Sequence, residues 1–457
     1  MARLVAAGRI SPVELVDAHL LRIERINPRI NAFVRVRAEE ARAEAKNAAE
    51  EIARGEAVGA LHGVPVTVKD SFDMEGLPTL CGSRLRLEHR AAADSTAARR
   101  LRQAGAIILG KTNCPEFLMN YETENDITGR TLNPWNLERT AGGSSGGEAA
   151  AIAARCSAGG IGSDGGGSIR VPAHFCGIAG LKPTPGRVPA TGHFPAIGHP
   201  GGLLGVGGPM ARSAADVQLL FEVLAGHDSQ DPFSAPVPLK ADVGLPARVG
   251  LMEQFYQVPV QPAVLEAVLA AAAKLNEIGV PVEPFAPSGL ERAPNVWWFF
   301  FGRLPAQTTR KMIEGRENEV HWTGTEFLDQ ALEEPLPTAQ DVLENLAIRD
   351  KMRASLLRQM EKVPVLLLPA CGVTAWRPRE RRFDTSEKPI GLFQAMMPAT
   401  PFNLLGLPGL VIPFGVDHEG LPVGVQLVGA PYEEELLLET GARLEEARGP
   451  FPSPALE

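Results

Sequence analysis

Several things are scarce in this chain of 457 residues. Its five cysteines, at 81, 114, 156, 176 and 371, show no CxxC spacing. A scattered, odd set in a large chain reads as free thiols in a reducing compartment, not as a disulfide framework. The nine histidines show neither HExxH nor another paired-ligand spacing, so a metal site has no support. No apolar run reaches the ~18 residues of a membrane-spanning helix, and the N-terminus lacks the apolar stretch of a secretion signal. The expected location is cytoplasmic, away from the membrane. Cations are in the minority as well: 45 Lys+Arg against 54 Asp+Glu leave a net charge of −9. That balance disfavours nucleic acid, whose phosphates need clustered Lys and Arg. The short basic run RPRERR, from Arg377 to Arg382, is broken by Glu380 and reads as a solvated loop. No repeat, low-complexity tail or proline-rich linker divides the chain, so 1–457 is expected to form a single domain.

What the chain does contain is alternation. Ser11-Pro12-Val13-Glu14 is a capping-box pattern, and Val13, Val16, Leu20 and Ile23 continue it as an apolar stripe that Asn27-Pro28 should stop. Further helices are expected over 38–54, 95–103, 213–224, 262–278 and 433–447, with strands over 64–68, 106–109, 249–252, 280–283, 363–368, 410–414 and 423–428. Strands alternating with helices imply an α/β fold, a mixed central sheet covered by helices on both faces. Residues 286–362 look like a helical insertion. Its block Trp297-Trp298-Phe299-Phe300-Phe301 could line an apolar acyl channel, but core packing is the favoured reading.

Chemistry concentrates in 142–170. GGSSGG (142–147) and GSDGGGSIR (162–170) place Ser144 and Ser168 in two glycine-rich loops 24 positions apart. Glycines let backbone approach a ligand, and N–H groups beside a serine nucleophile can hold an oxyanion. Upstream, the apolar run from Val64 ends at Lys69-Asp70, so serine and lysine together suggest acyl transfer without histidine. Two other patterns are set aside. Gly105 to Thr112 fits GxxxxGK[ST], but its middle is a strand-like apolar run and Asn113-Cys114-Pro115 cannot open a helix. Gly142-Gly-Ser144-Ser-Gly146 fits GxSxG, but loop-like sequence precedes it, and its only late histidine, His418, sits in a turn pattern.

GVPVTVKD, GGSSGG and GSDGGGSIR, followed by Pro172 and FCGIAGLKPT (175–184), together resemble the amidase signature family. Thr123-Glu124-Asn125, GPMAR (208–212) and LPVGVQLVG (421–429) agree, and the likeness spans about 10–446 while carrying little over 286–400. The resemblance implies Ser168 as nucleophile, Ser144 as a bridging serine on a cis peptide, and Lys69 as base, within a core over about 60–215. It implies an oxyanion hole from the N–H groups of Gly165, Gly166, Gly167 and Ser168. Ser145 would help hold the lysine, and Asp164 and Arg170 would brace the loops. It also implies a small-molecule amide substrate, no cofactor or metal, and at most a homodimer as partner.

Taken singly, each residue has a plainer explanation. Lys69 alone would be a surface lysine paired with Asp70, Ser144 a loop or helix-cap residue, and Ser168 a cap for the helix after it. Cys176, between Phe175 and Ile178, reads as a buried structural thiol. The conjunction carries the expectation of an amidase producing acid and ammonia or amine. The alternative is the glutamine-hydrolysing component of a tRNA amidotransferase; a silent binding protein on the same scaffold is a third reading.

Overall fold

The computed structural model describes residues 1–56, 59–198 and 204–456. Its centre follows from short apolar runs buried on both faces. The strands are β1 (Phe33–Val36), β2 (Pro65–Lys69), β3 (Ile107–Thr112), β4 (Gly159–Asp164), β5 (Ala179–Lys182) and β6 (Val206–Ala211). They continue with β7 (Val249–Leu251), β8 (Val282–Pro284), β9 (Val365–Pro369), β10 (Gly409–Val416) and β11 (Pro422–Gly429). Among the described residues they form one eleven-stranded sheet, in the order β1-β3-β2-β4-β6-β5-β10-β11-β9-β7-β8. β3, β2 and β4 are parallel neighbours, as are β9, β7 and β8. The strands between those trios pair antiparallel, so the sheet is mixed.

Strand side chains alternate faces, and the alternation is visible in what each residue packs against. Ile108, Leu410, Ile412 and Leu367 join one core with the helices Thr96–Gln103, Ala214–Leu224, Pro262–Glu277 and Glu434–Arg448. Ile107, Leu109 and Val411 point the other way, onto Pro12–Ile30, Ala38–Ala53 and Gly146–Ala153. Leu366 and Leu368 meet the helices of 286–362. The helix Gly146–Ala153 is buried on every side, which is why its sequence is glycine and alanine rather than amphipathic.

Three expectations are corrected. The first long helix runs through Pro28 to Ile30, where Asn31 caps it in the left-handed region. Proline there removes one donor, and the Asn27 side chain accepts from Ala32 and Phe33 N–H at 2.8 and 3.1 Å, so little is lost. The segment before GGSSGG is not loop but a two-stranded ribbon, Leu132–Asn133 with Asn136–Thr140, separate from the main sheet. Arg381 is not solvated, since its guanidinium bridges Glu122 and Glu326 at 2.5 Å each. The pattern over 105–112, by contrast, is strand β3, with no helix opened behind it.

Leu410 Cδ2 lies in the space where a side chain on Gly441 would stand. Nothing on that helix can fill the void left by Leu410→Ala. The variant should lose about 2–5 kcal/mol, toward the upper end, read as a lowered denaturant midpoint with unchanged slope.

Candidate active site

β2 and β4 are parallel neighbours, with Val68 opposite Ile161, so both end at the same edge of the sheet. Lys69 ends β2, and Ser163 and Asp164 end β4. The chain enters β4 through the glycine loop and the helix Gly146–Ala153, which carries Ser144 and Ser145 over those strand ends. Lys69 Nζ lies 2.7 Å from Ser144 Oγ, 2.9 Å from Ser145 Oγ and 3.1 Å from Ser163 Oγ. Ser163 was not singled out from the sequence, although it stands inside GSDGGGS. The plainer reading of Lys69 fails: it is fully buried, while Asp70 pairs instead with buried Lys111, at 2.8 Å. Burial pushes the Lys69 ammonium down from 10.5 to about 8, against a weaker opposite pull from Cys114, Cys81, Asp164 and Glu148.

The hydroxyls are ordered by their other partners. Ser145 Oγ donates to the Ser163 carbonyl at 3.2 Å and accepts the Ser163 N–H at 3.3 Å. Its proton is therefore committed, and toward Lys69 it accepts. A neutral amine has two N–H groups and one lone pair. Donating to Ser145 and Ser163 leaves the lone pair for the Ser144 hydroxyl. As an ammonium it donates to all three. The same cage fits both protonation states. The peptide bond between Gly143 and Ser144 is cis. Gly143 has no room for a Cβ, which would meet the backbone of Asn120, Tyr121 and Glu122 within 2.6–2.9 Å.

Ser168 sits on a loop built around Asp164. The Asp164 carboxylate accepts from Gly167 N–H at 2.7 Å, Ile169 N–H at 3.0 Å and Arg170 Nε at 3.0 Å. Gly167 reaches this bond at φ +118, a conformation that favours glycine. Arg170 continues to the Ala399 carbonyl at 2.9 Å, to Gln426 Oε1 at 2.7 Å and to Asn403 Oδ1. Burial alone would raise the Asp164 carboxyl, but the Arg170 guanidinium holds it well below the usual carboxylate range. One expectation is corrected here. The Gly167 N–H is tied to Asp164 and is not free to meet an oxyanion. Among the described residues the N–H groups of Gly165, Gly166 and Ser168 have no protein acceptor. The Gly165 and Gly166 carbonyls are pinned by Trp297 Nε1–H and Tyr121 O–H, both at 2.8 Å.

Ser144 and Ser168 line one cavity of about 170 Å³, together with Ser163, Asp164 and Gly165. The loops are tied to each other by Ser145 N–H donating to the Ser168 carbonyl at 3.1 Å. The remaining lining is mostly apolar: Phe117, Met119, Ile197, Leu204, Phe300 and Phe301 contribute to it. The aromatic block therefore does both things weighed for it. Trp297 and Phe299 are buried core, while Phe300 and Phe301, on a π-helical turn at Phe299–Arg303, face the cavity. His418 is 89% exposed in the turn between β10 and β11 and borders a different cleft. Cys176 is buried in the core, where burial pushes its thiol up. A larger cleft of about 1000 Å³, near Glu222, Lys240 and Arg443, contains none of these serines or Lys69. Among the described residues no three His, Cys, Asp or Glu side chains cluster as a metal site, and no helix is long and apolar enough to cross a membrane.

The sequence model of the family described as Amidase matches residues 14–438. The corresponding component of the glutamyl-tRNA(Gln) amidotransferase from Synechococcus sp. (strain WH7803) is 38% identical, over 97% of this chain and 95% of the relative. An indoleacetamide hydrolase from Bradyrhizobium diazoefficiens is 34% identical, over 98% of this chain and 86% of the relative. Among solved structures, a bacterial aryl acylamidase of the amidase signature family superposes with a TM-score of 0.88 at 28% identity, covering 98% of this chain and 95% of the other.

The Asp164–Arg170 pair is completely buried. Asp164→Asn leaves the guanidinium without its anion and should cost about 3–5 kcal/mol in denaturant unfolding. Adding Arg170→Met should recover part of that loss.

Proposed function

The chain belongs to the amidase signature family of C–N hydrolases, and from that premise we propose that it hydrolyses an amide with an apolar acyl group through Ser168, Ser144 and Lys69. The observation that carries this reading is Lys69, buried without a carboxylate partner and 2.7 Å from a serine that shares its cavity with Ser168.

In the proposed reaction, Ser168 Oγ attacks the carbonyl carbon. Its proton passes to Ser144 Oγ as the Ser144 proton passes to neutral Lys69. The carbonyl π pair moves onto oxygen, and the N–H groups of Gly165, Gly166 and Ser168 are the candidate donors to that oxyanion. Each such donor is worth about 3–4 kcal/mol where measured. Collapse breaks the C–N bond, and the relay returns the proton to the departing nitrogen. Water then attacks the acyl-enzyme ester by the same relay, releasing the acid and restoring Ser168.

Glutamine hydrolysis within an amidotransferase is the second reading, favoured by the 38% identical amidotransferase relative. The cavity argues for the first. Glutamine brings a charged ammonium and carboxylate, whereas no Lys or Arg stands among the described residues of the lining. Higher kcat/KM for arylacetamides or medium-chain aliphatic amides than for glutamine supports the apolar reading. Preference for glutamine, above all with a copurifying partner, supports the second.

A fluorophosphonate should label Ser168, mapped by peptide mass; label on Ser144 alone would exclude Ser168 as nucleophile. Activity should rise with pH as Lys69 deprotonates, with a midpoint near its value of about 8. Lys69→Ala should lose at least ~10³-fold in amide kcat/KM and lose that ionisation from the profile. Retained turnover with the same profile would exclude Lys69 as base.

A further inference from the structure

His193 lines the same cavity as Ser144 and Ser168 and has no part in the relay just described. Its Nδ1 is 2.8 Å from the Pro195 carbonyl oxygen. A carbonyl only accepts, so Nδ1 carries the proton. Burial, with Lys69 nearby, pushes the ring down to about 3, so it is neutral. Nε2 is then a bare lone pair, and it is buried without a protein partner.

The ring is also held in place. Phe72 packs edge-on against it, centroids 4.8 Å apart at 74°. On either side, Asp73 N–H donates to the Gly192 carbonyl at 2.8 Å and Phe194 N–H to the Ser71 carbonyl at 2.7 Å. His193 is thus fastened to the segment that directly follows Lys69. The Lys69 amine cannot serve it, being engaged by three serines.

A fixed, unprotonated acceptor in a binding cavity recognises a donor. The carbonyl oxygen and apolar acyl group of the substrate offer none; the amide N–H does. We propose that His193 is a positioning and specificity residue that accepts a hydrogen bond from the N–H of the scissile amide. That contact turns the nitrogen so that its lone pair faces the Ser144 proton, and it selects amides over esters, which have no N–H. No proton is transferred to His193. The inference rests on the reading of this cavity as a Ser168 hydrolase site.

The test compares kcat/KM, which reports acylation, for a primary amide and the methyl ester of the same arylacetic acid. In His193→Ala the amide value should fall about ten- to a hundredfold while the ester value changes less than twofold. His193→Gln, which restores an acceptor of similar reach, should recover part of the amide value. Equal losses for both substrates would assign His193 a merely structural role, and an unchanged amide value would remove it from substrate contact; either overturns the proposal. Fluorophosphonate labelling separates the two layers. Wild-type protein unlabelled at Ser168 defeats the underlying reading. Wild-type labelling with slowed labelling of both variants defeats only the role of His193.

Discussion

A lysine can take a proton only when it is neutral, and at Lys69 neutrality is imposed by the surroundings. Moving the group from 10.5 to about 8 corresponds to a penalty on the order of 3 kcal/mol against the ammonium. The sign follows from linkage. The unfolded chain binds the proton more tightly, so this penalty on the folded state is fully present below about pH 8 and fades as pH rises toward 10.5. The local architecture preserves the effect. Ser145 is the N-cap of the helix Gly146–Ala153, so the positive end of that helix points at the amine and disfavours added charge. The acidic groups nearby are disarmed. Asp70 is held by Lys111, Asp164 by Arg170, and Glu148 is pushed up to about 7 by burial, against hydroxyls of Thr112 and Thr67 and the Lys69 charge. A free carboxylate in any of these places would return Lys69 to the ammonium form.

The same constraint explains the glycine content around the site. Serine oxygens can surround a buried amine only if two loops and a strand end meet at hydrogen-bonding distance, and side chains on those loops would keep them apart. At Gly143 the neighbouring backbone occupies the place of a Cβ. At Gly167 the backbone turns into a region that favours glycine so that its N–H can reach Asp164. Rigidity then comes from outside the loops. Tyr121 and Trp297 hold the carbonyl side of the Gly165 and Gly166 peptides, and Asn403 and Gln426 hold Arg170. With carbonyls fastened behind, the N–H groups are presented to the cavity without needing to reorganise, which is what gives such donors their value.

Much of this was legible in the chain because the relevant information is local. Caps, apolar runs and glycine stops set most elements to within a few residues, and Lys69, Ser144, Ser145 and Ser168 all stand inside short motifs whose types already imply their company. The false phosphate-loop pattern could be rejected for the same reason, since a strand-like run cannot also be a loop. What escaped reading is what depends on distant partners. Trp297, Asn403 and Gln426 reach the site from far along the chain, and nothing beside them signals it. Arg381 sits in a run of charge that reads as solvated until Glu122 and Glu326 fold against it. The Gly167 N–H looked like one more free donor because the Asp164 carboxylate that takes it is visible in sequence but its direction is not. His193 lies in a glycine- and proline-rich stretch where its tautomer, and hence its meaning, is fixed only by a carbonyl two residues on.

These two kinds of residue divide the molecule's work. The serines, Lys69 and the Asp164 brace come from the ends of β2 and β4 and from the loops beside them, and they would treat any acyl group alike. The walls that an acyl group meets come from elsewhere: Phe117 from the turn after β3, Ile197 and Leu204 from the approach to β6, and Phe300 and Phe301 from the helical insertion. Trp297 belongs to both parts, since it packs in the insertion while its indole N–H holds the Gly165 carbonyl. Changes to Phe300 or Phe301 can therefore reshape the cavity without disturbing the amine. Changes to Trp297 cannot, because they loosen the peptide that presents an N–H group to the reacting carbonyl. Selectivity is separable from chemistry in this fold up to that indole, and no further.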